Sequence, residues 1–335
     1  MKKTKAWVWV LLCILPFAAA LFALCIGRLS ISPAEVLSSA VANITGGETA
    51  TQYIELTLWK VRLPRILLAL AVGAGLSVSG CVFQSLFSNP LATPDTLGVA
   101  SGASFGAALA LLLGFKLIGV QFVSLIFGGA AVVLTVLAGS SRESKGLNNT
   151  VLAGIMIGSL FNALISLVKF SADTEDELPA ITYWLMGNLS AASYASLLVG
   201  AVPIIICIAV LFALRWRLNL LSLSYEEARA TGVNIKALRA VTVACATVMT
   251  ASSVSMCGQV GWIGLLVPHI CRMGLGNDHT KLIPASALGG AAFLVLVDTA
   301  ARSISATELP ISVLTAIIGA PFFIYLMRRT RGWRL

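Results

Sequence analysis

Apolar residues along this chain fall neither in alternation nor in narrow helical stripes, but in recurring segments of about 20, long enough to cross roughly 30 Å of hydrocarbon as helices. The runs lie near 6–27, 64–86, 95–113, 118–139, 149–170, 193–214, 236–256, 260–275, 281–302 and 309–327. A helix satisfies its own backbone hydrogen bonds inside lipid, so the pattern predicts an all-α, polytopic membrane protein with about ten transmembrane helices. The whole chain, 1–335, reads as a single transmembrane domain.

Punctuation between the runs is uneven. Asn89, Pro90 and Pro94 break the chain between the second and third runs. Gly98, Gly102 and Gly106, with Ala103 and Ala107, then recur at the spacing that lets membrane helices approach closely, as do Gly73, Gly75, Ser79 and Gly80. The stretch SVSGCVFQ (77–84) faintly echoes SVSMCGQV (253–260), as an inverted repeat would. Residues 218–239 are the one polar loop with helix-forming content: Ser224 is placed to cap, Glu226 and Glu227 suit a helix N-terminus, and Gly232 suits a stop.

Composition removes the alternatives to a membrane. Apolar residues make up 58% of 335 positions and charged ones 11%, too little polar surface for soluble domains. The seven cysteines lie almost all within apolar runs without ligand spacing, which argues against zinc and a disulfide framework. The first run has the basic start of a signal peptide but too long an apolar stretch, so it is expected to remain as helix one.

Charge then orients the spans. Lys2, Lys3 and Lys5 at one end and Arg328, Arg329, Arg331 and Arg334 at the other place both termini in the cytoplasm by the positive-inside rule, which requires an even number of spans. Arg142, Lys145, Arg215, Arg217, Lys236 and Arg239 fall inside on the same topology, and the acidic loop Asp173, Glu175, Asp176, Glu177 falls outside. The formal charge of +9 is thereby mostly anchoring, with no nucleic-acid footprint.

Arg62, Arg65 and Arg302 break the rule by falling on the outer face. Two readings stand: arginines snorkelling at helix ends, or a basic patch for an acidic partner. Asp298, four residues before Arg302, is placed to neutralise it in part. Asn149 and Thr150 open the fifth run either as caps or as polar groups narrowing a pore. In GWIGLLVPHI (261–270), Pro268 interrupts the helix and His269 either bonds a freed carbonyl or relays protons. Glu308 reads as an acid at a helix start before Pro310.

Many of these stretches together resemble the FecCD family of ABC importer permeases. The likeness runs from RLPR (62–65), SG (79–80), Gln84, NPLATPDTLG (89–98), WLMGNL (184–189) and EEARATGV (226–233) to GWIGLLVPHICR (261–272), DH (278–279), DTAAR (298–302), ELP (308–310) and IGAPFF (318–323). Asn89, Pro90, Pro94, Gly98, Pro268, His269 and Arg272 stand at family-motif positions. The resemblance implies a type II (vitamin B12 importer-type) ABC permease fold in the inner, cytoplasmic membrane, and a membrane partner subunit, most simply in a homodimer. It also implies two cytosolic ABC ATPase subunits and an external substrate-binding protein. By position, Glu226, Glu227, Ala228, Arg229, Gly232 and Val233 would form the ATPase-coupling segment, Arg62, Arg65 and Arg302 the docking patch for the binding protein, and Asn149 and Thr150 an inner gate. The chain has no GxxxxGK[ST] loop, so it is expected to be no enzyme and to hold no cofactor, with ATP and Mg bound by the partner ATPase. The implied cargo is an iron-siderophore chelate, with haem and vitamin B12 next. An ion-coupled secondary transporter or channel using Asp298, His269 and Glu308 is the rival expectation.

Overall fold

The computed structural model describes residues 6–45, 52–139, 147–223, 225–305 and 307–329, and among these every regular element is helical. The helices are α1 (Ala6–Cys25), α2 (Pro33–Thr45), α3 (Gln52–Leu86), α4 (Val99–Leu112), α5 (Leu117–Gly139), α6 (Leu147–Ser171), α7 (Glu177–Leu185), α8 (Tyr194–Ala213), α9 (Tyr225–Ala230), α10 (Ile235–Cys257), α11 (Ile263–Leu275), α12 (His279–Ser303) and α13 (Ile311–Arg329). Seven of them, α1, α3, α5, α6, α8, α10 and α12, are long and apolar enough to cross a membrane. Helices α4, α11 and α13 are shorter apolar elements, and these three complete the ten runs of the sequence.

Burial sorts these helices into layers. The apolar window of α3 is 78% buried and that of α1 only 17%, so α3 is a core strut and α1 a rim helix whose exposed Phe17, Leu21 and Phe22 suit lipid. Helices α10 and α12 join α3 at the centre, and α5, α6 and α8 lie further out. Backbones meet directly where glycines face each other. A Cβ on Gly80 would lie 1.7 Å from Gly264 O of α11, and one on Gly73 would lie 2.2 Å from Gly290 O of α12. Gly102 and Gly106 of α4 sit in the same way against Phe127 O and Val123 O of α5. The first echoing stretch lies on α3 and the second at the end of α10 and just beyond it; the two helices touch where Ser79 Oγ meets Thr250 Oγ1 at 2.9 Å.

Three elements differ from the sequence expectation. Helices α2 and α7 are too short and too polar to register as apolar runs. Helix α3 starts twelve residues before the expected 64, because the turn ahead of Pro64 widens instead of breaking. Leu56–Arg62 is π-helical, with the Leu63 N–H donating to Leu58 O, which relieves the clash that a proline ring imposes on an α-helical preceding turn. Trp59 O, within this wide turn, accepts the Tyr194 hydroxyl at 2.6 Å.

Candidate functional site

At one end of the core the three arginines that broke the charge rule converge. Arg65, on the first α-helical turn after the wide segment, donates Nε and Nη2 to the Asp298 carboxylate of α12 at 2.8–3.0 Å. Its Nη1 and Nη2 reach Glu308, in the segment before α13, at 2.9 and 3.0 Å. Arg302 lies one turn beyond Asp298, with Nε 3.9 Å from Oδ2. Arg62 donates to Leu24 O and Leu29 O, and Arg302 to Ala23 O, so both guanidiniums sit on the negative C-terminal end of α1. Gly27 allows this, since a Cβ there would lie 2.8 Å from Arg302 Nη1 and 3.0 Å from Arg62 Nη2.

Arg62, Arg65 and Arg302 are thus only 4–7% exposed and fastened inside the chain, not extended as a snorkelling fringe. Their inner edges line a cleft of about 440 Å³ with Arg28, Tyr53 and Glu308. Within the cluster three guanidiniums face two carboxylates, and exposed Arg28 adds another positive group at the mouth, so the cleft suits an anionic group. Glu308 is more than a helix-start acid, because it closes the cluster from the loop side.

At the opposite end of α3 the chain break is fully built. Ser88 adopts φ 48°, Asn89 Oδ1 accepts from Leu91 N at 2.9 Å, and Pro90 lies in that turn. Pro94 then opens a single tight turn ending at Gly98 with φ 72°. Asp95 Oδ1 accepts the Ala100 and Ser101 N–H groups at 3.1 and 3.2 Å, a carboxylate on the positive end of α4. Gly98 also packs against the Gly154 and Gly158 backbone of α6. Nearer the start of α6, Val151 and Ile155 share a hollow of about 330 Å³ with Asn89 and Thr93. Asn149 and Thr150, just before them, are half-buried, and a Cβ on Gly139 would lie 2.9 Å from Thr150 Cα.

The carbonyl that Pro268 frees faces α3. Lacking an N–H, Pro268 leaves Gly264 O without its helical donor, and Gln84 Nε2 approaches that oxygen at 3.5 Å and Leu265 O at 3.4 Å. The freed carbonyl is the one packed on Gly80. His269 is buried with its ring 5.4 Å from that of Phe323 on α13. Arg272, in the last turn of α11, is half-buried. Trp262, at φ 66°, fills the space over Gly319, where a Cβ would lie 2.4 Å from the indole.

The polar loop holds a short α-helix, α9, from Tyr225 to Ala230. Thr231 Oγ1 returns to Ala228 O at 2.7 Å, and Gly232 follows at φ 76°, the left-handed stop the sequence suggested. Ala228 is buried, Glu227 exposed and Val233 half-buried. Ser224 and the side chains of Glu226 and Arg229 lie outside the described residues. Just upstream, in the turn Asn219–Ser222, Asn219 bonds to the start of α12, a contact that no motif or spacing in the sequence announced.

These features define a multi-pass helical membrane protein with charge locked at one end of its core and a built polar loop at the other end of the same two helices. The chain belongs to the FecCD transport family, whose description matches residues 13–329. It is 41% identical over 313 residues to the molybdate import system permease protein MolB of Haemophilus influenzae, covering 92% of this chain and 93% of that one. It is 36% identical over 328 residues to the vitamin B12 import system permease protein BtuC of Escherichia coli, covering 96% and 95%. A solved ABC transporter, described as of metal-chelate type and inward-facing, superposes with a TM-score of 0.87 at 39% identity, covering 97% of this chain and all of that one. The fold is that of a type II ABC permease.

Proposed function

We propose that the chain is the membrane-spanning permease subunit of an ATP-driven ABC importer for an iron-siderophore or related chelate such as haem or vitamin B12. The observation that carries this reading is the family match along nearly the whole chain, shared with relatives named as import permeases for metal chelates and cobalamin. In this account two copies surround one pathway in the inner membrane with both termini cytoplasmic. Two cytosolic ATPase subunits bind ATP and Mg, and an external binding protein delivers cargo. A relative is named for molybdate, so uptake assays should carry an oxyanion arm as well as ferric-chelate, haem and cobalamin arms.

The segment Glu226, Glu227, Ala228, Arg229, Gly232 and Val233 docks the ATPase. It has a buried Ala228 to hold it to the bundle and exposed Glu227 to meet a partner. In a reconstituted complex, a Glu226→Lys, Gly232→Pro variant is expected to keep hydrolysing ATP while uptake falls. Uptake at the unaltered level would remove the assignment.

The cleft lined by Arg28, Arg62, Arg65 and Arg302 receives an acidic side chain of the binding protein. Because Arg62, Arg65 and Arg302 are fastened internally, Arg28→Glu isolates docking from folding. The Kd for the binding protein is expected to rise with that change and with salt, since exposed charges are screened beyond about 10 Å at 0.1 M. A Kd indifferent to both would leave the cluster a structural clamp only.

Asn149 and Thr150 of the two copies narrow the inner end of the pathway. Cysteines there are expected to crosslink between subunits in the nucleotide-free state, and failure under every nucleotide condition would leave them as helix-start residues.

The geometry weighs against two of the three residues of the ion-coupled alternative. Asp298 and Glu308 spend their oxygens on Arg65, whereas His269 packs on Phe323.

A further inference from the structure

Helices α3 and α12 run antiparallel and are joined at three levels. Near the start of α3 and the end of α12, Arg65 holds Asp298 at 2.8 Å. At mid-length Gly73 and Gly290 bring the backbones into contact. At the far end Ser85 Oγ lies 2.6 Å from His279 Nε2. Twenty residues separate Arg65 from Ser85, so at about 1.5 Å per residue the end links are about 30 Å apart.

The last link continues into the polar loop. Asn219 Oδ1 accepts the His279 backbone N–H at 2.8 Å and stands 2.8 Å from Nδ1, while Nδ2 donates to Asp278 Oδ1 at 3.1 Å. A backbone N–H only donates and a carboxylate only accepts, so the amide orientation is fixed and Nδ1 must carry a proton. In the neutral ring Nε2 is then an acceptor, so the single Ser85 proton goes to it at 2.6 Å in preference to Cys81 O at 3.2 Å. Asp278 also caps α12 through Thr280 N at 3.0 Å. Burial opposes ionisation of its carboxyl, but hydrogen bonds from Thr280 and Asn219 hold it below the ordinary value. Its contribution to the cap is present above the usual carboxylate range and fades as pH falls through the lowered value.

We infer that α3 and α12 form a rigid strut, and that Asn219, His279 and Ser85 are positioning residues passing movement of the α9 loop along it to the arginine cleft. The inference rests on the importer reading, in which α9 meets the ATPase. Apolar contacts of the same loop, made by Leu218, Leu221 and Ala228, are not directional and tolerate sliding. Hydrogen bonds of fixed direction do not, and a satisfied buried network rigidifies the elements it joins. Coupling of this kind is reciprocal, so an acidic group entering the cleft also biases the loop.

The test uses the permease with its co-purified ATPase and needs no cargo. A nitroxide is attached at Val61→Cys, an exposed cleft position, with exposed Cys13 replaced by Ser. The distance between labels on the two permease copies is measured without nucleotide and with ATP and vanadate. A shift is expected in the otherwise unaltered protein and in Ser85→Thr, which keeps the hydroxyl. Its loss is expected in Asn219→Ala and Ser85→Ala, with ATP hydrolysis retained. An undiminished shift in these two alanine variants would overturn the strut. If Asn219→Ala fails to assemble, the Ser85→Ala and Ser85→Thr pair decides alone. Absence of a co-purifying ATPase, or of any shift in the unaltered complex, would sink the importer reading instead.

Discussion

Asp298→Ala is expected to be among the most damaging single substitutions in this chain, costing about 3–5 kcal/mol, the range for removing one partner from a buried ion pair. The carboxylate is 2% exposed and takes Arg65 through both Nε and Nη2. Without it, among the described residues three buried guanidiniums share the Glu308 carboxylate, and Arg302 retains its bond to the Ala23 carbonyl. Apparent melting temperature in detergent, followed by fluorescence size-exclusion, should drop sharply. Asp298→Asn should fall between, because the amide accepts a hydrogen bond without returning the charge. The double change Asp298→Ala, Arg65→Leu should recover only part of the loss, since it removes the guanidinium that the single change leaves buried but takes Arg65 from Glu308 as well. A single alanine variant as stable as the unaltered protein would mean that the cluster is not what holds α3, α12 and the end of α1 together.

Gly80→Val is expected to match or exceed that damage for a different reason. A Cβ at this position lies 1.7 Å from Gly264 O, and the atom it meets is backbone, which cannot rotate away. Overpacking of a core costs about 1–3 kcal/mol when side chains can adjust, and here α3 and α11 must separate instead. Separation also removes Gln84 from the carbonyl that Pro268 leaves free. Folded yield in membranes should fall to a small fraction of the unaltered level, whereas Gly129→Ala, with nothing within 4 Å of its Cβ, should be neutral. Equal yields for the two variants would refute the close crossing.

The apolar runs were legible because lipid demands long apolar helices: each run found a helix, seven of them of spanning length, while α4, α11 and α13 are shorter than the spans expected. The charge rule singled out Arg62, Arg65 and Arg302 as unusual, but spacing reached only one of their partners. Asp298 lies four residues from Arg302, and the spacing pointed to that pair. The shorter contact is to Arg65, 233 residues away in sequence, and a fold is needed to see it. Glu308 misled for the same reason, since its local reading as a helix-start acid was complete without Arg65. Pro268 drew attention to His269 beside it, whereas the carbonyl it frees is approached from α3 by Gln84. Asn219 left no trace, because a lone amide in a loop has no periodicity to mark it. The wide turn ahead of Pro64 was hidden because proline in a sequence signals a helix start more readily than a widened interior.

The most direct test of the account is the driving force of transport. The purified chain, alone and with the ATPase that co-purifies with it, is placed in proteoliposomes with binding protein. Uptake of a ferric-siderophore chelate, haem, cobalamin and molybdate is then followed with ATP, and separately with an imposed proton or sodium gradient. The account predicts no ATP hydrolysis by the chain alone, and uptake of one cargo only with the ATPase and ATP present. Uptake by the chain alone, driven by an ion gradient and unaffected by ATP, would contradict it.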